Sequence, residues 1–478
     1  MKVLIYGYGS HALFMKEVIR ESEGTGIEWS IILPSYHFLE DFAELLDREK
    51  ILYFHGEMNS AMKKEYDPTK TLATYSGHIY RDLAAEKFSL SKKEREFQIK
   101  YACASYNIHK EFIGKIKPDM VVFPSFQDSD ALILFNICRE LGIEPVFYVH
   151  ARSFGVSFFS PTPDEDLPIY ASTSKVRKDD LERAEKFLQK FRKEHSFHFQ
   201  ACYTPMPEEV IGAYGKPFFQ RATSFFSSLL ENKEPYNFQR DFGMRLRTNL
   251  FSVTRAVRKA KARLSEGVFD IYDLEELPEK FIYYPLHYTP EATINIPAPF
   301  FVDQLRVIDA VRFGMPSDHV LVIKEHKSMA GIRPTSFYKQ AKNRPGVILA
   351  HYSLPAKEII PRSSLTVSVT GTSCLEAMLY GKPSMHLGHA FFTDWIYWAK
   401  HHDLRDDIKK ALSREVEDSD IVAHIASLFS VSNNSFVTCP SSKYRDTKYV
   451  MNKANIKMFL DGLLDHYKRT NMVRSKKK

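Results

Sequence analysis

Val369-Thr370-Gly371-Thr372-Ser373-Cys374-Leu375-Glu376-Ala377 reads as a buried strand, a turn of small residues and the opening of a helix. The helix is expected over Ser373 to Tyr380 and is closed by Gly381 and Pro383. Such a turn presents free backbone N–H groups and the positive end of a helix dipole, which suits a phosphate. Two further stretches have the same plan, an apolar β-prone run ending in polar residues. They are Tyr283-Tyr284-Pro285-Leu286-His287-Tyr288-Thr289-Pro290-Glu291 and Val322-Ile323-Lys324-Glu325-His326-Lys327. An open α/β sheet delivers side chains to the crevice at its strand ends in this way. The three pieces therefore read as one site.

Around them, strands and helices alternate. Ile282–Leu286, His319–Lys324, Val347–Ala350, Leu365–Val369 and Ser384–Gly388 read as strands. Val302–Phe313 and Pro355–Ile360 read as helical segments between them, and Tyr338–Asn343 as the stretch leading into Val347–Ala350. That alternation predicts a doubly wound parallel sheet.

The first part of the chain repeats the pattern. Lys2–Tyr6 is a strand, followed by Gly7-Tyr8-Gly9-Ser10-His11-Ala12 and an amphipathic helix to about Glu21. The turn matches G-x-G-x-x-A, but the second strand, Trp29 to Ser35, ends without the acid that a dinucleotide site requires. Gly7, Gly9 and Ser10 are therefore read as a corner lining a cleft. Ile51–His55, Met120–Pro124 and Pro145–His150 are expected as further strands, with helices over Ser89–Ile113 and Asp130–Leu141. Their ends place Asp128, His150 and Arg152 on the same rim, where an acceptor or a phosphate would meet them.

At 478 residues the chain exceeds one ordinary domain. The expected organisation is an N-terminal Rossmann-like, acceptor-side domain (1–159), a mainly helical, basic insertion (160–280) and a C-terminal Rossmann-like donor domain (281–445). A helix that packs back on the first domain follows, with a basic tail from Arg474 (446–478). Within the insertion, Arg245 to Leu264 carries an apolar stripe amid seven Arg and Lys side chains, a pattern that either packs on the domain or lies on an anionic membrane. The composition, 44% hydrophobic and 26% charged, is that of a soluble enzyme, and no apolar run is long enough to span a bilayer. The N-terminus reads as a strand rather than a signal peptide. Five scattered cysteines without a CxxC pair fit a reducing cytosol and no structural zinc. A net charge of +7 suits anionic small molecules or a lipid surface and is too small for this length to indicate nucleic acid. A cytoplasmic location, with peripheral attachment to the inner face of the cell membrane, is the corresponding expectation.

The candidate donor-binding set is Lys324, His326, Lys327, Arg333, Gly371, Thr372, Ser373 and Glu376. The basic groups and the turn would hold the phosphates, and Glu376 a ribose or simply the helix dipole. Glycosyl transfer by inversion needs a base on the acceptor hydroxyl. Glu291, His287 and Asp128 compete for that role, and Pro290 puts the first two on a loop rather than one helix face. No D-x-D pair stands out, so neither a metal nor another obligatory cofactor is expected.

Pro285-Leu286-His287, Pro290-Glu291, Lys324-Glu325-His326 and Thr370–Ala377 with Gly381-Lys382-Pro383 together resemble bacterial capsule polysaccharide biosynthesis proteins. That family includes GT-B glycosyltransferases that use CMP-Kdo. The resemblance covers about the second half of the chain. It implies a GT-B-like fold, two Rossmann-like domains facing a cleft, with His326 and the Thr372-Ser373 turn on the nucleotide and Glu291 at the family's acidic position. The sequence departs from the pattern at His287, where the family has glutamine, and at Lys327, where it has proline. The implied activity is sugar transfer from a CMP- or UDP-linked donor to an oligosaccharide or lipid-linked glycan of the cell surface, alongside other polysaccharide-assembly proteins. The alternatives are a nucleotide-sugar epimerase of similar build and a non-catalytic glycan-binding scaffold.

Overall fold

A computed structural model describes residues 1–9, 11–64, 67–85, 90, 93–126, 128–194, 260–261, 266–289, 291–401, 403–437 and 450–476. The described residues form two compact units. Met1–Ser174 and Val431–Lys478 make the first, and Lys175–Phe197 with Phe251–Ser430 make the second.

The first unit is built on a six-stranded sheet of order β3-β2-β1-β4-β5-β6. The strands are β1 (Lys2–Tyr6), β2 (Glu28–Leu33), β3 (Ile51–Tyr53), β4 (Met120–Phe123), β5 (Glu144–His150) and β6 (Ser157–Ser160). The first five are parallel, and β6 pairs antiparallel with β5. Val3, Leu4, Ile5 and Tyr6 are all fully buried, as a strand covered on both faces requires. Val3 and Ile5 meet Phe14 and Val18 of α1 (His11–Glu21) and Phe459 and Leu463 of the C-terminal helix. Leu4 and Tyr6 face Tyr101 of α2 (Arg95–Ile116) and Ile133 of α3 (Ser129–Leu141).

The C-terminal helix, Lys453–Ser475, belongs to this unit. Phe459 meets Phe14 edge-on at 5.4 Å. Buried Glu144 lies 3.8 Å from His466 Nε2 and pairs with Arg474. The tail expected from Arg474 is thus a correction, because Arg474 is helical and has a carboxylate partner. The chain returns to the first unit at Val431, upstream of the expected boundary at 446.

The second unit also has six strands, in the order β12-β11-β10-β7-β8-β9, all parallel. They are β7 (Phe281–Pro285), β8 (Val320–Lys324), β9 (Val347–Ala350), β10 (Leu365–Ser368), β11 (Ser384–His386) and β12 (Tyr397–Trp398). Ile282 and Tyr284 point to a core shared with Val307 and Ile308 of α5 (Gln304–Gly314) and Tyr338 of α6 (Thr335–Lys342). Phe281 and Tyr283 point to the other face, toward Ala377 of α7 (Thr372–Leu379). The helix α4 (Lys178–Glu194), expected within the insertion, is part of this unit. Its Arg192 makes two 2.6 Å bonds to Asp418 and donates to the Leu379 carbonyl at the negative end of α7. Of the basic stripe Arg245–Leu264, all but residues 260–261 lies outside the described residues.

Each sheet has the doubly wound order, so the fold is α/β with two Rossmann-like domains, the domain content of a GT-B-like chain. In each, the strand order reverses at one point, β1/β4 in the first unit and β7/β10 in the second. Ligands of such sheets bind outside the strand ends at those reversals.

Candidate functional site

The reversal in the second unit brings together the three quoted stretches. Beyond β7 lies His287, which is tied on three sides. Its backbone N–H donates to Gln304 Oε1 at 3.1 Å and its carbonyl accepts from Arg333 at 2.7 Å. Its Nε2 accepts the Val369 N–H at 3.2 Å and lies 3.1 Å from Ser368 Oγ. Ser368 Oγ in turn accepts the Gly371 N–H at 2.8 Å. A hydroxyl has one proton, and Ser368 has only His287 Nε2 as an acceptor in this set, so both bonds use the Nε2 lone pair. His287 therefore laces β7 to the turn after β10 and has no lone pair on Nε2 left for a base.

Gly371 is required at this turn. A Cβ there would lie 2.4 Å from Ser368 Oγ. It is the N-cap of α7, and no side chain caps the helix, so the first N–H groups of α7 point out of its open end. Thr372 and Ser373 are the first two residues of that helix and are half-buried.

Beside the turn, Glu291 sits at the start of the short helix Ala292–Asn295. Its Oε2 accepts from Thr293 Oγ1 at 2.8 Å, while Oε1 makes no hydrogen bond among the described residues. Thr370 Oγ1 donates to the Thr293 carbonyl at 2.8 Å, which ties this loop to the turn. His326 is exposed at the rim beyond β8, and Tyr288 meets its ring edge-on at 6.0 Å. Desolvation of the ring holds its pKa below the usual histidine range, with Glu291 the largest opposing influence. Lys327 is exposed in the following turn.

Glu325 and Arg333 do something different from what position alone suggests. Glu325 is 1% exposed and accepts from its neighbour's N–H (His326, 2.7 Å), from Arg333 Nε (2.5 Å) and from Tyr338 Oη (2.9 Å). Arg333, expected on a phosphate, instead spends Nε on Glu325 and Nη2 on the His287 carbonyl. It braces the loops from beneath.

Lys324 and Glu376 lie on the opposite face of the strand ends. Neither has a hydrogen-bond or ion-pair partner among the described residues, yet each feels the other's charge. Burial pushes the Glu376 carboxyl up to about 7, with Lys324 pulling against it. Burial lowers the Lys324 ammonium, with Glu325 and Glu376 opposing. The Tyr283 hydroxyl, fully buried and without a hydrogen-bond partner among the described residues, lies in the field of Glu376.

Residues outside the expected set complete the picture. Beyond β9, His351 is only 9% exposed and stacks on Tyr272 with centroids 5.0 Å apart. Phe269 and Tyr352 flank the same ring, and Tyr272 itself is 48% exposed. Their only signal in sequence is an aromatic pair after a strand end, which is too common to single out. Among the described residues no three His, Cys, Asp or Glu side chains gather as a metal site.

In the first unit the expected rim residues are accounted for differently. Asp128 is 3% exposed, caps α3 through the Ala131 N–H at 2.9 Å and accepts the Tyr6 hydroxyl at 3.0 Å. It is a structural cap, not an accessible base. Asp130 accepts from Ser105 at 2.7 Å and Tyr101 at 2.9 Å. Burial and the neighbouring Asp128 push its carboxyl up to about 7. His150 packs edge-on against Phe436 at 4.8 Å, and Arg152 pairs with Glu165 at 2.9 Å. Gly7 lies so close to β2 that a Cβ would stand 2.9 Å from Ile31, and Gly9 has φ +52. Ser10 lies outside the described residues.

No protein-family model and no curated protein sequence matches this chain. Solved structures do. KpsC of Thermosulfurimonas dismutans, a β-Kdo 2,7 transferase, is 13% identical over 75% of this chain and 89% of its own, with a TM-score of 0.36. UDP-GlcNAc 2-epimerase of Methanocaldococcus jannaschii is 12% identical over 96% of this chain and 100% of its own, with a TM-score of 0.23. The spinosyn rhamnosyltransferase SpnG, complexed with thymidine diphosphate, is 13% identical over 90% of this chain and 95% of its own, with a TM-score of 0.23. The fold assignment itself rests on strand order and register. No described helix is long and apolar enough to cross a membrane.

Proposed function

We propose that the second unit binds a nucleotide-activated sugar and that the protein is a glycosyltransferase acting on a surface glycan. The observation that carries this reading is the uncapped N-terminus of α7 at the β7/β10 reversal, with His326, Lys327 and Glu291 beside it. Backbone N–H groups and a dipole end there favour a diphosphate or monophosphate. Lys324 and Glu376 supply a donor and an acceptor for ribose hydroxyls. Two strand spacings of about 4.8 Å separate β7 from β9. A base reaching across them would stack on the half-exposed Tyr272 next to His351.

Of the three candidate bases, Glu291 is the one the geometry favours. His287 Nε2 is committed to the Val369 N–H, and Asp128 is buried in its cap. Glu291 keeps one carboxylate oxygen without a partner among the described residues. In this reading it takes the proton of the acceptor hydroxyl as that oxygen attacks the anomeric carbon, and the nucleotide leaves with its charge held by α7. CMP-Kdo is the donor the resemblance suggests; a UDP-sugar fits the same groups. A peripheral membrane location belongs with a lipid-linked acceptor.

The test is nucleotide release. CMP-Kdo and UDP-sugars are incubated with the enzyme, with and without capsular oligosaccharide. Acceptor-dependent release of CMP or UDP supports the proposal, while sugar interconversion without acceptor would replace it with an epimerase.

A further inference from the structure

His386, the last residue of β11, is fully buried and lies behind the turn that opens α7. Its Nε2 is 3.2 Å from the Gly371 carbonyl and its Nδ1 is 3.0 Å from Thr393 Oγ1. Thr393 Oγ1 also accepts the Ala390 N–H at 2.7 Å. The direction of every bond in this chain follows from one fact. A carbonyl oxygen only accepts, so Nε2 carries the proton and donates it to Gly371. In the neutral ring Nδ1 is then a lone pair, and the Thr393 hydroxyl donates to it while accepting from Ala390.

The Gly371 carbonyl and the Thr372 N–H belong to one peptide plane and point in opposite directions across it. The carbonyl also accepts the Cys374 N–H at 3.3 Å, so the first turn of α7 sets its general direction. His386 adds a second, side-chain hold that keeps the Thr372 N–H directed outward, through the open end of α7. The far side of Gly371 is fixed as well, since its own N–H is held by Ser368 Oγ next to His287. Two imidazoles thus hold this glycine, His386 directly at its carbonyl and His287 through Ser368 Oγ, with opposite hydrogen-bonding roles. His287 accepts and His386 donates.

We infer that His386 is a positioning residue, which aims the Thr372 N–H at a bound phosphate through the Gly371 carbonyl. This rests on the nucleotide reading above. It goes beyond it by assigning a specific part of phosphate recognition to a side chain that cannot touch the ligand. Donation to the carbonyl also polarises the same peptide and strengthens its N–H as a donor.

His386→Asn keeps an acceptor near the Nδ1 position for Thr393 and loses the donor to Gly371. His386→Gln reaches further and restores a donor near the Nε2 position. The full-length protein and both variants are titrated calorimetrically with CMP, UDP, cytidine and uridine. His386→Asn is expected to bind the phosphorylated ligand about tenfold more weakly, the worth of one hydrogen bond to a charged group. Nucleoside affinity should be unchanged, and His386→Gln should recover most of the loss. Equal losses for nucleotide and nucleoside, or none for either, overturn the inference. If the wild-type protein binds no nucleotide, the functional reading fails and this inference falls with it, whereas a wild-type protein that binds nucleotide and a folded His386→Asn that binds it equally well overturn this inference alone. Should His386→Asn not fold, Thr393→Val, which removes the hydroxyl that orients Nδ1, is measured in the same way and with the same two outcomes.

Discussion

Arg333 Nε lies 2.5 Å from Glu325 Oε2, with the two side chains 7% and 0% exposed. This ion pair sits directly under the loops that form the candidate site, because Arg333 also holds the His287 carbonyl and Glu325 holds the His326 N–H. A pair this dry has little net value over an apolar substitute, but leaving one partner alone is costly.

Glu325→Ala is accordingly expected to destabilise the second unit by about 3–5 kcal/mol, since it strands a buried guanidinium. The double variant Glu325→Leu with Arg333→Met should cost clearly less than the two single changes added together. Denaturant unfolding of Glu325→Ala, of the two single changes and of the double variant checks this, and additive losses would show that the two groups do not act as a pair.

Asp130 gives the first unit a pH dependence of definite sign. Its folded-state pKa, about 7, lies above the ordinary carboxylate value, chiefly from burial and then from Asp128. The stability it contributes is complete below about pH 4. It is lost as pH rises toward 7, because the unfolded chain releases the proton first. Asp130→Asn should therefore raise the melting temperature at pH 8 by at least about 2–4 °C and flatten its fall between pH 4 and 7. An unchanged profile would mean that Asp130 is ionised in the fold.

Glu376 titrates at about 7 for a related reason, burial opposed by Lys324. If its carboxylate accepts from ribose hydroxyls, nucleoside binding should strengthen as pH rises through 7. Cytidine and uridine have no phosphate to confuse the reading. Saturation-transfer NMR from pH 5.5 to 8.5 should show that rise in the wild type and a flat response in Glu376→Gln. A flat wild type would remove Glu376 from the ribose.

Tyr272→Ala should weaken nucleotide and nucleoside alike, by about 1–3 kcal/mol, the usual worth of a base stacked on an aromatic ring. Losses confined to the nucleotide would place the base elsewhere.

Much of this fold was legible because both sheets are buried on two faces. Runs such as Val3–Tyr6 and Val320–Lys324 then read as strands without any partner being known. The misreadings occur where neighbours decide. His55 is apolar-flanked and was expected in a strand, yet the strand ends at Tyr53 and Phe54–Ala61 is a helix. The short strands β6 and β12 carry no pattern of their own and exist through pairing with β5 and β11. At the site, the strand ends were placed by alternation, and the turn at Gly371 by its run of small residues. The partners of charged groups were not. Arg333 and Asp128 have the right charges for a cleft, and only the fold shows that Glu325 and the α3 N-terminus already hold them. His386 gave no signal at all, since its role lies in a carbonyl belonging to another strand's turn.

The most direct test of the central claim is a calorimetric titration of CMP and UDP into the full-length protein and into Gly371→Ala, whose Cβ would press on Ser368 Oγ. The wild type should bind one of the two nucleotides at least about tenfold more tightly than its nucleoside. Gly371→Ala, shown to be folded by its melting curve, should lose that difference. A folded wild-type protein that binds neither nucleotide, or binds each no better than its nucleoside, would contradict the placement of a phosphate at the head of α7.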